Sequence, residues 1–242
     1  MSRHLKVYSV ISAESSTQDG EGKIFSKLLL LVGLLFFSSV VFAHSINYAL
    51  QDAPVHQVVW FYLALGFKHI IPSGIDHILF VIGLCLLSTN IKTILWQATA
   101  FTVAHSITLA LSMKSIIVAP GAVVEPIIAL SIVFVALENI LISELKPWRI
   151  MIVFLFGLIH GMGFASALNE IGLPAGKFYT SVLAFNVGVE LGQIAVITAM
   201  FGCVIIPLRN KSWYRAGIVY TLSGIIALIA SYWTIQRVFF NG

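Results

Sequence analysis

The chain has 242 residues, of which 59% are hydrophobic and only 10% are Asp, Glu, Lys or Arg, with a mean hydropathy of +0.97. Soluble domains carry about 25% charged residues, so this composition cannot cover a water-facing surface and excludes a soluble enzyme, a disordered chain and a basic-patch nucleic-acid binder. An all-α integral membrane protein remains, and the net charge of +4 bears on its orientation rather than on an acidic partner.

Residues 1–27 are polar, and Lys23 and Lys27 precede the apolar run Leu28–Phe37, Ser38-Ser39 and Val40–Ala43. A basic region, a short apolar core and small residues before Ala43 predict an N-terminal signal peptide over 1–43, cleaved after Ala43. The alternative is an uncleaved anchor helix over the same stretch. Cleavage would expose His44, whose free amino group and imidazole form a chelate for a borderline metal ion, although a surface histidine is the more common reading. Residues 44–57 then form a short extracytoplasmic segment, and 58–242 the membrane domain.

Apolar windows long enough to cross a bilayer, about 20 residues each, recur at roughly 66–88, 93–113, 122–142, 150–168, 180–206 and 215–236. The first belongs to an apolar run from Val58 to Leu87 that Pro72-Ser73-Gly74 interrupts. Proline removes a hydrogen-bond donor, so the first span is expected to be a broken helix. Broken backbone at membrane depth is tolerated only against protein or a wet cavity. With the mature N-terminus outside, inner loops hold Lys92, Lys146, Arg149, Arg209, Lys211 and Arg215, and outer loops only Lys114 and Lys177. That bias predicts six transmembrane helices with both ends outside. Cys85 and Cys203 lie in separate apolar runs with no metal or disulfide spacing, and read as packing residues.

Ionisable side chains inside spans cost about 2.5–3.5 kcal/mol each on insertion scales, so each needs a reason. His69, Asp76 and His77 flank the break in the first span, where imidazoles and a carboxylate can converge on one ion. Thr102, His105, Ser106 and Ser112 form a polar stripe on the second span. Glu125 and Asn139 share a face of the third, Glu138 is turned away from it, and Glu125-Pro126 suits a first helical turn. On the fourth, Gly157 and Gly161 form a small-residue ridge for close helix approach, with His160 beside it. Asn186, Glu190 and Gln193 make a stripe on the fifth. His105 with Ser106, Glu190 with Asn186, and His160 each also read as packing contacts between helices. Four spans supplying a histidine or carboxylate are together better explained by one shared polar site. The candidate metal ligands are therefore His69, Asp76, His77, His105, His160, Glu125 and Glu190.

The segments His69-Ile-Ile-Pro-Ser-Gly-Ile-Asp-His77, Phe101-Thr-Val-Ala-His-Ser-Ile-Thr-Leu109, Glu125 with Glu138-Asn139, and Phe156-Gly-Leu-Ile-His-Gly-Met-Gly-Phe-Ala165 together resemble the HupE/UreJ proteins over roughly residues 57–235. That resemblance implies a nickel or cobalt permease, linked to hydrogenase or urease and their maturation proteins, in a bacterial inner membrane. It carries metal binding onto His69, Asp76 and His77 and onto His160. Six residues separate His69 from Asp76, where the better-known nickel permeases have five, and Phe156 and Gly163 stand at two other ligand positions of the fourth span. The sequence thus resembles a second, less characterised branch.

Imidazole and carboxylate donors suit nickel, cobalt or zinc rather than magnesium or calcium. A broken helix at the site is a recurring transporter device, and no nucleotide-binding loop is present, so coupling would be to a gradient or a partner. The expected function is a secondary permease for a divalent transition metal. The alternatives are an intramembrane zinc hydrolase using the same histidines, with Asp76 or Glu125 activating water, and a sensor or assembly factor.

Overall fold

The computed structural model describes residues 50–174 and 176–240; the expected signal peptide over 1–43 and His44 lie outside the described residues. The chain is helical, with no strand among the described residues. The helices are α1 (Val55–Ile70), α2 (Ile75–Leu87), α3 (Ile91–Met113), α4 (Gly121–Leu141), α5 (Arg149–Ile171), α6 (Phe178–Leu208) and α7 (Arg215–Phe239). Five of these, α3 to α7, are each long and apolar enough to cross a membrane, and α1 with α2 form a further pair bent by 69°.

The bent pair crosses the bundle once rather than turning back. Lys177, just before α6, donates to the carbonyls of Leu50, Gln51 and Ala53 just before α1, at 3.4, 2.9 and 2.7 Å. At the opposite end Asn139, near the close of α4, donates to the Gly83 carbonyl of α2 at 2.9 Å. The start of α1 and the end of α2 thus sit at opposite ends of the bundle. Arg237 at the end of α7 donates to the Glu125 carbonyl at 3.0 Å, and Arg215 at its start donates to Ile142 at the end of α4 at 2.7 Å. Counted as one crossing, the bent pair brings the total to six, as the sequence predicts, and residues 50 and 240 lie at the same end.

Several boundaries differ from the expected ones for physical reasons. The first crossing starts at Val55 rather than near residue 66, because His56 and Gln57 depress hydropathy without disfavouring helix. The break itself is well satisfied. Ile71, Ser73 and Gly74 donate to the carbonyls of Phe67, Lys68 and Ile70 at 2.8, 3.3 and 3.1 Å, so the last turn of α1 leaves few backbone acceptors orphaned. A side chain at Gly74 would collide with the His69 carbonyl. Pro126 lies inside α4, which already begins at Gly121, and not at its first position. In α6 the backbone widens to a π-helix over Phe201–Ile205, just ahead of Pro207, which has no N–H and whose ring crowds the turn before it.

Packing pairs α3 with α5, α1 with α6 and α4 with α7, while α2 touches α3, α4, α6 and α7. Polarity is inverted relative to a soluble protein. Leu130, Leu183, Leu228 and Met151 face outward, whereas His77, Gln97, His105, Asn139, His160 and Gln193 are buried. That distribution is what lipid demands of polar groups. Glycine sets the closest approaches. Gly157 and Gly161 of α5 lie against the Phe101 and His105 carbonyls of α3, and Gly66 and Gly188 bring α1 and α6 together through the Phe185 and Leu63 carbonyls. The Gly157/Gly161 ridge therefore packs α5 on the second crossing.

Candidate metal centre

The break between α1 and α2 places His69 in the last turn of one helix and His77 in the first turn of the next. Their rings are 4.7 Å apart, and each lies 6.1 Å from the ring of His105, midway along α3. One ligand nitrogen from each of His69, His77 and His105 falls within 4.8 Å of the other two. An ion bonded to all three would sit about 2.0–2.1 Å from each. His160 of α5 stands next to this group, 5.1 Å from His77 ring to ring.

Hydrogen bonds leave the inward nitrogens bare. His77 Nδ1 lies 3.0 Å from Asp76 Oδ1, which also accepts from the His77 backbone N–H at 2.8 Å. His160 Nδ1 is 2.9 Å from the Phe156 carbonyl. His105 Nδ1 is 3.2 Å from Asn186 Oδ1, and the Asn186 amide donates to the Val182 carbonyl at 2.8 Å, which fixes its carbonyl toward the imidazole. A carboxylate and two carbonyl oxygens only accept, so in all three rings the proton sits on Nδ1 and the lone pair on Nε2. The Nε2 atoms of His69, His77, His105 and His160 are all buried without a hydrogen-bond partner. An unpaired buried polar atom costs about 1–3 kcal/mol; four such nitrogens in one place, three of them with the lone pair turned inward, answer to an electrophile. Holding a ligating histidine by its second nitrogen is the usual way to orient it for metal.

Phe164 packs on His69 at 3.9 Å between ring centroids, and Phe101 and Phe80 lie 4.9 and 5.5 Å from His160. This aromatic wall, which residue spacing alone does not disclose, limits water around the nitrogens.

The other expected ligands fall at three different places. Asp76 buttresses His77 and is not one of the three mutually close donors. Glu190 is half-buried; its Oε1 accepts from Thr99 at 2.7 Å while its Oε2 is unpaired. Beside it Thr102 donates to Gln193 at 3.1 Å, so the Asn186, Glu190 and Gln193 stripe of α6 meets the polar stripe of α3. Glu125 is exposed and lines a cavity of about 270 Å³ with Ser112, Ser115, Met162, Ser166 and Asn169, where α3 ends and α4 begins. Ser106 donates to the Thr102 carbonyl at 2.6 Å, away from any role beside His105.

Arg149 is the polar residue that sequence reasoning misplaced. Next to Pro147-Trp148 it reads as a loop charge, yet it is 1% exposed and faces Glu138 at 3.3 Å. The signal that could have found it is Glu138 itself, an acid inside a span with no neighbour in sequence to neutralise it.

A multi-pass helical membrane protein with a histidine cluster at mid-bundle is the class that these features define. The HupE / UreJ protein family matches residues 44–237, and the chain belongs to that family, as its motifs predict. No curated protein and no solved structure matches it.

Proposed function

We propose that this protein is a secondary permease for a divalent transition metal, nickel or cobalt first, with zinc as the other candidate. What supports the reading above all is the set of bare, buried Nε2 atoms drawn from both sides of a helix break and from two further helices. Neutral imidazoles are borderline donors that favour such ions over magnesium or calcium. The group has no thiolate among the described residues, and its nearest carboxylate, Asp76, acts through His77. An ion held by neutral rings keeps most of its charge uncompensated, and a transported ion must bind well enough to enter and weakly enough to leave. His69, His77 and His105 hold the ion in this reading, His160 receives or completes it, Asp76 and Asn186 orient the rings, and Glu125 and Glu190 stand on the way in and out.

In this reading the positive loops 89–92, 143–149 and 207–214 lie inside, in a bacterial cytoplasmic membrane with both ends outside. Hydrogenase or urease maturation proteins are the proposed recipients of the ion. Proteoliposomes test the reading directly: purified protein should pass radiolabelled nickel or cobalt into the lumen, and His77→Ala should not. Tight retention of metal without passage, together with turnover of a membrane-embedded substrate, would support the hydrolase instead.

A further inference from the structure

Among the described residues, half of the unpaired buried side-chain polar atoms lie away from the histidines, toward the end where α5 begins. Glu138 and Arg149 face each other at 3.3 Å with side chains 3% and 1% exposed. Both carboxylate oxygens, all three guanidinium nitrogens, both Gln97 amide atoms and the Tyr214 hydroxyl lack a hydrogen-bond partner. The α3–α5 register set by Gly157 against Phe101 and by Gly161 against His105 brings Gln97 to the level of Val153, one turn from Arg149.

The surroundings of Glu138 are sparse in charge. From α2 comes the buried Cys85 thiol, within electrostatic reach of both Arg149 and Tyr214. From α5 comes Arg149 alone. From α7, Arg215 is committed to the Ile142 and Ser143 carbonyls, and Arg237 to the Glu125 carbonyl at the far end. Among the described residues, Glu138 is thus the one acid facing a buried guanidinium. A structural ion pair in such a setting normally satisfies its remaining donors and acceptors; this one makes a single contact.

Arg149 and His160 lie three turns apart on one face of α5, roughly 16 Å along the axis. Coulomb's law at an effective dielectric near 20 makes one unneutralised charge at that distance worth roughly 30-fold in the affinity of a divalent ion. A carboxylate at Glu138 cancels the Arg149 charge, and a proton on Glu138 uncovers it.

We propose that Glu138 is a proton-binding site antagonistic to the metal site, with the carboxylate paired to Arg149 while the histidines hold an ion and the carboxylic acid formed when the ion has left. Binding of one proton to one carboxylate oxygen raises the charge of the pair by one, and the repelled ion leaves the imidazoles; by linkage, the entering ion expels the proton. In transport this rests on the permease reading and makes the protein an exchanger of metal against proton.

Binding and transport test it separately. In detergent, Glu138→Gln should weaken cobalt(II) binding roughly 30-fold, and Glu138→Gln with Arg149→Met should restore it to within about threefold of wild type. Unchanged affinity in the single variant, or equal loss in both, overturns the proposal. If the single variant does not fold, the double variant decides: over a pH series, wild type should release more protons per bound cobalt than the double variant, and identical release at every pH overturns it. In cobalt-loaded vesicles, external acid should speed efflux through wild type at least tenfold more than through Glu138→Gln, with cobalt-for-cobalt exchange retained by both; equal acceleration overturns the coupling. Absence of exchange through wild type counts against the permease reading, and the detergent arm still decides the proton site.

Discussion

Asn186 on α6 holds its side-chain carbonyl 3.2 Å from His105 Nδ1 on α3, and its own amide is anchored to the Val182 carbonyl at 2.8 Å. The anchor matters because a free amide could turn its NH2 toward the ring and force the opposite tautomer. With the amide fixed, the His105 lone pair points at His69 and His77. A residue that ligates nothing thereby decides whether a third nitrogen is available.

Removing that anchor should be felt at the metal. Asn186→Ala is expected to weaken cobalt(II) binding by about 10–100-fold, the usual cost of losing an outer hydrogen bond to a ligating histidine. Asn186→Asp keeps an acceptor and should bind at least as well as wild type. Titration of purified protein, read by the cobalt absorption bands, checks both; an Ala variant as tight as wild type would show that His105 orients itself.

Asp76 makes a similar case with a sharper contrast. Both of its contacts to His77 use one oxygen, Oδ1. Asp76→Asn can keep that acceptor and loses only the charge, whereas Asp76→Ala loses both. Affinity should fall in the order wild type, Asn, Ala, with His77→Ala lowest of all. The same titration series measures this, and an Asn variant as poor as His77→Ala would make Asp76 a direct ligand.

Much of this was legible in the chain. Runs of apolar residues gave the crossings because a bilayer imposes one length on every helix, and Pro72-Ser73-Gly74 marked the break because proline cannot continue a helix. His69, His77, His105 and His160 stood out as imidazoles where lipid should be. What spacing does not carry is which helix lies beside which. The Gly157/Gly161 ridge announces a close neighbour, but only the fold identifies it as α3. Glu125 looked equal to the other acids because its distance from the histidines depends on where α4 leans, and it lines the cavity at the bundle's end. Arg149 was hidden for the opposite reason: a charge beside Pro147-Trp148 reads as exposed until Glu138 is seen opposite it.

The arrangement of ends gives a prediction about sidedness. Arg215 ties the start of α7 to the end of α4, and Lys177 ties the start of α6 to the segment before α1. Single cysteines at Asn90, Ser143 and Asn210, in a background lacking Cys85 and Cys203, should react with an impermeant maleimide only from the cytoplasmic side. A cysteine at Ser115 should react only from outside. Mixed labelling at one end would mean that α1 and α2 form a re-entrant hairpin rather than one crossing.

The last prediction tests the contact that brings α5 to the site. A Cβ on Gly161 would run into the His105 carbonyl and the Thr108 hydroxyl, and one on Gly157 into the Phe101 carbonyl. Backbone cannot swing aside as a side-chain tip can, so any larger residue must separate α5 from α3. His105 belongs to the turn that would be pushed and His160 to the helix doing the pushing, so both imidazoles move relative to His77. Metal bonds tolerate deviations of about 0.2 Å, far less than a methyl group's width. Gly161→Leu should therefore lose cobalt affinity as severely as His160→Ala and should also lower the melting temperature in detergent, while His160→Ala leaves helix spacing alone and melts close to wild type. Gly224, on α7, has open space around it, and Gly224→Leu serves as the control with neither effect. If Gly161→Leu binds cobalt like wild type, α5 is not held against α3 by this ridge, and the placement of His160 beside His77 loses its support.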